Sequence, residues 1–327
     1  MQDKFYTVLL ASGFNSEEAL TCARVFMTNS MEGVNSHGVN RFLKFIADVR
    51  EKKVLPGVAP TLENRFGALE QWNGNLGAGI LNAVWATERA IILAREYGIA
   101  CIGLANTNHW MRGGFYGWQA AGKGCVFIGW TNTIANMPAW NALDNKLGNN
   151  PLVIALPFGT EAIVLDMAMS QFSYGRLESE VLNHTDLPVS GGFTKDGLLT
   201  CKPAEILESK RILPAGFWKG AGMALLLDIL ATIISSGNST SQITLQGAEY
   251  AVSQVFVCID LSRLKNNSLI QKAVTDIIQN YLSSETVQHK GRVVYPGQKV
   301  AETRKENLHD GIPVSPGVWN EILNFDI

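Results

Sequence analysis

The stretch IACIGLANTNHWMRGGFYGWQAAGKGCVFIGWT, residues 99–131, sets two short apolar runs, IACIGLA and CVFIGWT, on either side of a glycine-rich loop. Runs of this length and β-branched content, bounded by glycine, read as buried strands. Outward from them, LVIALPF (152–158), AIVLDM (162–167) and QVFVCID (254–260) repeat the pattern. Helical spacing marks Ile80–Tyr97, closed by Gly98, and Ala221–Ser235, closed by Gly237. Residues 1 to 53 read as helices: a first piece to Ser12, a second from Ser16 with Glu17 and Glu18 in its first turn, and a third from Ser36 to Lys53. After Leu264 the pattern is helical again, with a turn at YPGQ and a last helix near Trp319. The expected fold is mixed α/β (α+β). A central mixed-sheet lobe spans 66–262, and a helical lobe joins both chain ends, 1–65 and 263–327. Neither the Rossmann fingerprint G-x-G-x-x-G nor the P-loop pattern G-x-x-x-x-G-K-[ST] is present.

Composition narrows the function. The 27 Lys and Arg against 29 Asp and Glu leave a net charge of −2, with no basic field for nucleic acid. Cys22, Cys101, Cys125, Cys201 and Cys258 are scattered without a C-x-x-C pair, as expected of reduced thiols in a cytoplasmic protein. The N-terminus lacks a basic region, and Phe5, Val8 and Leu9 have helical rather than signal-like spacing. The longest apolar run, GMALLLDILATIIS, reads as too short to span a bilayer and carries Asp228 in its middle, so no membrane role is expected. His37, His109, His184, His289 and His309 are far apart, H-E-x-x-H is absent and no metal site is expected; G-x-S-x-G is absent too.

In NSHGVNRFLKF, residues 35–45, Ser36 suits the N-cap of the third helix. Val39, Phe42, Leu43, Ile46 and Val49 then share one face, with His37, Arg41, Lys44 and Asp48 opposite. The polar face is either plain solvated surface or a cleft wall where imidazole handles a proton and guanidinium grips a carboxylate, the two services a 2-keto acid needs. Spacing leaves both readings open. His109 stands in the glycine loop, where Gly113, Gly114 and Gly117 allow close backbone approach to a ligand and Trp110, Tyr116 and Trp118 offer ring faces; a packed turn is the equal alternative. Lys219 with Gly220 and Gly222 precedes a long helix, a plausible phosphate site; GNLGAG, residues 74–79, is a weaker one. Asp166 ends a strand where ligands often bind. Asp228, inside an apolar helix, requires a hydrogen-bonding partner, a backbone or cap before a catalytic histidine.

SHGVNRF (36–42), NHWMRGGFYGWQAAGKG (108–124), WTNTIANMPAW (130–140), DMAMSQFSYG (166–175) and RILPAGFWKGAGMALLLDILATIISSG (211–237) together resemble the non-Rossmann malate/L-lactate dehydrogenase family of NAD(P)-dependent oxidoreductases. The resemblance runs in order over nearly the whole chain, and the S-H-G-x-x-R signature is intact as Ser36, His37, Gly38 and Arg41. It implies a cytoplasmic homodimer acting on a small sugar-acid substrate, with an extended nicotinamide cofactor near the subunit interface. His37 inherits the proton-donor role, and His109 is the alternative acid/base that some members use. Arg41 falls to the substrate carboxylate, with Ser36 beside it. Cofactor contacts carry over to Ala162, Ile163, Val164, Leu165, Asp166, Met167 and Ala168, to Trp218 and Lys219, and to Gly297, Gln298 and Lys299. Nearer relatives have a histidine and an acid where Gln298 and Lys299 stand, and a lysine tolerates an NADP phosphate better; NAD or NADP is expected, with NADH favoured. Family members carry a few more residues ahead of the first helix than precede it here. A sister L-lactate, malate or ureidoglycolate dehydrogenase is the runner-up, and a non-catalytic sugar-acid-binding protein the outsider.

Overall fold

In the computed structural model the described residues are 1–265, 267–287 and 291–325, so His289 lies outside them. The chain opens with α1 (Gln2–Ala11), α2 (Ser16–Met31) and α3 (Val39–Arg50), then β1 (Thr61–Phe66), β2 (Leu69–Asn73), α4 (Gly79–Tyr97) and β3 (Ile99–Thr107). It continues with α5 (Gly114–Ala121), β4 (Cys125–Thr131), β5 (Leu152–Phe158), β6 (Glu161–Met167), α6 (Tyr174–Leu182), α7 (Pro203–Ser209), α8 (Trp218–Ser235) and α9 (Thr240–Leu245). Strand β7 (Val252–Asp260) and helices α10 (Asn267–Leu282), α11 (Gln298–Asp310) and α12 (Pro316–Leu323) complete it.

These seven strands form the main sheet in the order β1-β2-β3-β7-β4-β5-β6, and two short two-stranded pairs, Met137–Pro138 with Asn145–Leu147 and Gly192–Phe193 with Leu199–Thr200, stand apart from it. Only β2 and β3 run parallel; the other neighbours are antiparallel, which sets the sheet apart from a Rossmann fold. Alternation along the central strands serves two cores. Ile102, Leu104, Phe127, Phe256 and Cys258 pack with the alanine-rich face of α4 and with α5, while Cys101, Ile128, Val255 and Val257 pack with α8 on the other side. Gly103 is required there, because a Cβ would stand 2.4 Å from the Ile234 carbonyl oxygen. A third core joins both chain ends: Phe5 stacks on Phe42 at 4.2 Å and meets the edge of Trp319 at 6.3 Å.

Several expectations need correction. Residues 61–65, read as part of the helical lobe, belong to β1; all six residues of that strand are exposed, so no apolar alternation could mark it. Strand β2 buries Glu70, which is bonded to Arg89, Arg65 and the Trp72 indole, a burial that local hydropathy cannot anticipate. Ser36 does not cap α3. The chain makes a separate 3-10 turn at Asn35–His37 before α3 starts at Val39, whose N–H donates to Ser30 Oγ at 2.8 Å. The cause is Gly38, which crosses α2 so closely that a Cβ would lie 2.2 Å from Ser30 Oγ. Helix α8 closes at Ser236, φ +59°, rather than at Gly237, and starts four residues ahead of the quoted apolar run. By length and composition it is long and apolar enough to cross a membrane, yet one face packs on β3, β4 and β7. Asp228 within it accepts from Asn132 Nδ2 and the Thr240 N–H, both at 2.8 Å: a structural bond. Of the two readings left open for the glycine loop, the packed turn describes Gly113, Gly114 and Gly117, which serve packing of α5 on β5 and β6 where Val153, Ala155 and Asp166 stand against them, and Trp110 and Tyr116 are core.

Candidate active site

Strand register locates the site. Val252 pairs with Thr107, Gln254 with Thr131, Trp130 with Leu152, and Leu152 with Met167, so β3, β4 and β6 finish, and β5 and β7 begin, at one end of the sheet. The loops that leave this end carry His109, Ile134, Asn149, Met169 and Glu249. Against it docks the turn holding Ser36 and His37. Asn29 Nδ2 donates to the His37 carbonyl at 2.9 Å, and Gly175 at the start of α6 approaches Ser36 so closely that a Cβ would lie 2.7 Å from that of Ser36.

Docking brings together two histidines that are distant in sequence. The rings of His37 and His109 stack with centroids 5.6 Å apart and planes 20° from parallel. His37 Nδ1 lies 3.0 Å from Ser36 Oγ, and burial, then Arg41 and Arg112, push its imidazole down to about 4. His109 is held well below its ordinary value by burial, then by Arg41 and His37. Its Nδ1 accepts the Met111 N–H at 2.9 Å, made possible by the left-handed backbone of Met111, φ +66°. Asn108 anchors the loop by donating to the carbonyls of Lys53, Leu76 and Gly77. The Arg41 guanidinium stands in the electrostatic field of both imidazoles and of Glu249, and its side chain makes no hydrogen bond or ion pair among the described residues.

Arg112 was invisible as a site residue in the sequence. It is buried, pairs with Glu32 and lies 3.7 Å from Asp166, whose carboxylate also accepts the Gly114 N–H at 2.7 Å. Glu32 in turn holds Arg304 of α11 at 2.6 Å. The only local signal was its place inside NHWMRGG. Glu249, half-buried and accepting the Ile134 N–H at 3.1 Å, was missed as well.

The three segments expected to touch cofactor meet along β6, which contains Ala162 to Met167. Val164 N–H donates to the Pro296 carbonyl at 3.1 Å, and Gly297, φ +89°, presses so close that a Cβ would lie 3.0 Å from the Val164 nitrogen. Gln298 and Lys299 start α11 beside it; Gln298 accepts from Tyr295 N–H and Lys299 is exposed. At the end of β6, the Ala215 N–H donates to the Met169 carbonyl at 2.8 Å, which sets the start of α8, with exposed Trp218 and Lys219, next to the site. A cavity of about 650 Å³ between α3 and α12, lined by Arg50 and Phe325, contains none of these groups.

The sequence profile of the malate/L-lactate dehydrogenase family matches residues 1–323. The chain belongs to this family. It is an oxidoreductase, and curated relatives agree in detail. A 2,3-diketo-L-gulonate reductase of Citrobacter koseri is 41% identical over 323 residues, covering 98% of this chain and 97% of the relative. Its counterpart from Escherichia coli O6:K15:H31 is 42% identical over 319 residues, covering 97% and 96%. Among solved structures, malate dehydrogenase from Entamoeba histolytica superposes with a TM-score of 0.92 at 24% identity over 98% of this chain and 94% of that one, and shares the fold. Malate dehydrogenase from Pyrococcus horikoshii OT3 gives 0.88 at 25% identity over 98% and 92%.

Proposed function

We propose that the protein is a nicotinamide-dependent reductase that converts 2,3-diketo-L-gulonate to 3-keto-L-gulonate at the C2 carbonyl. The observation that carries this reading is an Arg41 guanidinium with no side-chain hydrogen bond or ion pair among the described residues, beside two stacked imidazoles. The named activity of relatives at 41% and 42% identity supports the substrate.

Arg41 grips the C1 carboxylate through two parallel hydrogen bonds and so aims the adjacent carbonyl at the histidine pair. The two imidazoles take different parts. His109 receives a backbone N–H at Nδ1, so it is the neutral tautomer with hydrogen on Nε2, and protonation would forfeit that bond. His37 faces a hydroxyl, which can donate or accept, so it tolerates either protonation state. His37 is therefore the proton donor to the forming alkoxide, and His109 a hydrogen-bond donor that orients the oxygen. With its imidazole near 4, His37 is neutral in the free enzyme at neutral pH. Burial is the larger cause of that shift and persists, but a substrate carboxylate on Arg41 offsets one of the two opposing cations, so substrate binding moves the His37 imidazole upward and favours its protonated form.

Reduced nicotinamide, NADH favoured over NADPH, supplies the hydride when bound. The residues at β6 fit such a group: Trp218 presents an exposed ring, Lys219 and the α8 N-terminus present positive charge, and Gly297 lets backbone approach the strand. Ala162 to Ala168, Trp218, Lys219 and Gly297 to Lys299 would hold it. Helix α8 also exposes Met223, Leu225, Leu226, Ile229, Leu230 and Ile233, an apolar face that supports a homodimer, which sedimentation would detect. Free cysteines fit a cytoplasmic location.

The decisive experiment follows loss of reduced-nicotinamide absorbance with 2,3-diketo-L-gulonate, pyruvate and oxaloacetate, each with NADH and NADPH. Highest kcat/KM on the sugar acid is expected. Faster turnover of pyruvate or oxaloacetate would reassign the enzyme to a sister activity.

A further inference from the structure

The sheet end carries one carboxylate that the mechanism above does not use. Glu249 lies three residues before Val252, which pairs with Thr107 of β3, and two residues beyond Thr107 stands His109. On the other side of β7, Gln254 pairs with Thr131 of β4, and the chain leaving β4 returns the Ile134 N–H to Glu249 Oε2 at 3.1 Å. The loop is fixed further by a left-handed Ala251, φ +52°, whose carbonyl accepts from Asn238 Nδ2 at 3.0 Å. Glu249 is thus framed between the loops of His109 and Ile134.

Its electrostatic surroundings define a gap. Burial raises the Glu249 carboxyl, while the Ile134 N–H and then Arg41 oppose this; Asp48 and Lys44 of α3 are the other charges it meets. Arg41 and Glu249 attract across the site, yet no hydrogen bond or ion pair joins them. A ligand with an anionic head at Arg41 and hydroxyl groups behind it satisfies both. One with an anion at each end satisfies Arg41 and meets repulsion at Glu249.

We propose that Glu249 is the specificity-determining residue of this site: it accepts hydrogen bonds from hydroxyl groups of the substrate tail and excludes 2-keto acids that carry a second carboxylate. The proposal rests on the reductase reading above. It assigns a chemical class, polyhydroxy monocarboxylic 2-keto acids, to a site whose family also includes enzymes named for malate.

The test compares wild type, Glu249→Gln and Glu249→Asp on 2,3-diketo-L-gulonate, oxaloacetate and pyruvate at saturating NADH. Glutamine keeps an oxygen for the Ile134 N–H but removes the charge. Losing a charge-assisted hydrogen bond in a substrate pocket costs roughly tenfold or more in kcat/KM. Glu249→Gln should lower kcat/KM on the sugar acid by about that factor, mainly through KM, and raise it on oxaloacetate, so their ratio moves by roughly a hundredfold. Glu249→Asp, which retains the charge, should keep most of the wild-type preference. An unshifted ratio in Glu249→Gln, or equal losses on all three substrates, overturns the proposal and leaves Glu249 as a loop anchor. Failure of wild type to reduce the sugar acid overturns the reductase reading together with this one, whereas wild-type turnover with an unshifted ratio overturns this one alone.

Discussion

His37 and His109 stack ring on ring, yet they are held in opposite ways. His37 comes from a 3-10 turn pressed onto α2, with a neighbouring hydroxyl as its partner. His109 comes from a loop beyond β3, pinned by Asn108 and locked at Nδ1 by a backbone N–H. One imidazole can change protonation state without losing its partner, and the other cannot. Two residues of the same type thus reach the same place with different chemistry, and the difference lies in what each ring nitrogen touches.

The sharpest way to break that comparison is to remove each ring in turn. His37→Ala should lower kcat by roughly a hundredfold or more, the scale of general acid catalysis, while NADH binding followed by fluorescence is preserved. His109→Gln, which keeps a side-chain N–H, should cost about tenfold. Equal losses would erase the distinction, and a larger loss at His109 would reverse it. Next in size is the shared cation. Arg41→Lys should raise KM for the sugar acid roughly tenfold or more, because an ammonium cannot reproduce the bidentate fork; an unchanged KM would remove Arg41 from carboxylate binding.

A pH profile separates the free enzyme from the loaded one. The proton donor must carry its proton, and in the free enzyme His37 releases it near 4. The kcat/KM for reduction should therefore fall by about tenfold per pH unit above that value, while kcat holds to higher pH because bound carboxylate offsets Arg41. Parallel profiles for both parameters would show that binding does not load the proton. The smallest effect concerns the turn itself. Gly38→Ala drives a Cβ into Ser30 Oγ and the α2 backbone and should cost about 1–3 kcal/mol in urea unfolding. Gly222→Ala, with nothing within 4 Å, should be neutral or stabilising.

Much of this molecule is legible from residue order. The five strands read from short apolar, β-branched runs, the Gly98 stop of α4 and the buried stripe Val39, Phe42, Ile46 and Val49 follow from local composition, periodicity and backbone preference, which need only near neighbours. His37 and Arg41 were readable as a pair because one helical turn separates them, although the exact start of that helix was not. Ser36 loses its capping role to Ser30 because Gly38 crosses α2, a contact between segments that nothing local encodes.

Long-range register settled the rest. Glu70 is tolerable inside the sheet only once Arg89 and Arg65 reach it, so β2 carries no strand signal of its own. His109 becomes a site residue when α2 and the sheet end face each other, and Arg112 when Glu32 and Asp166 close around it. Glu249 is one more polar loop residue until β7 slots between β3 and β4 and carries it to Arg41. Periodicity is a property of neighbours in sequence, so order alone specified the apolar strands, the long helices and the signature pair; the partner of each charge depends on distance in space, and that came with the folded chain.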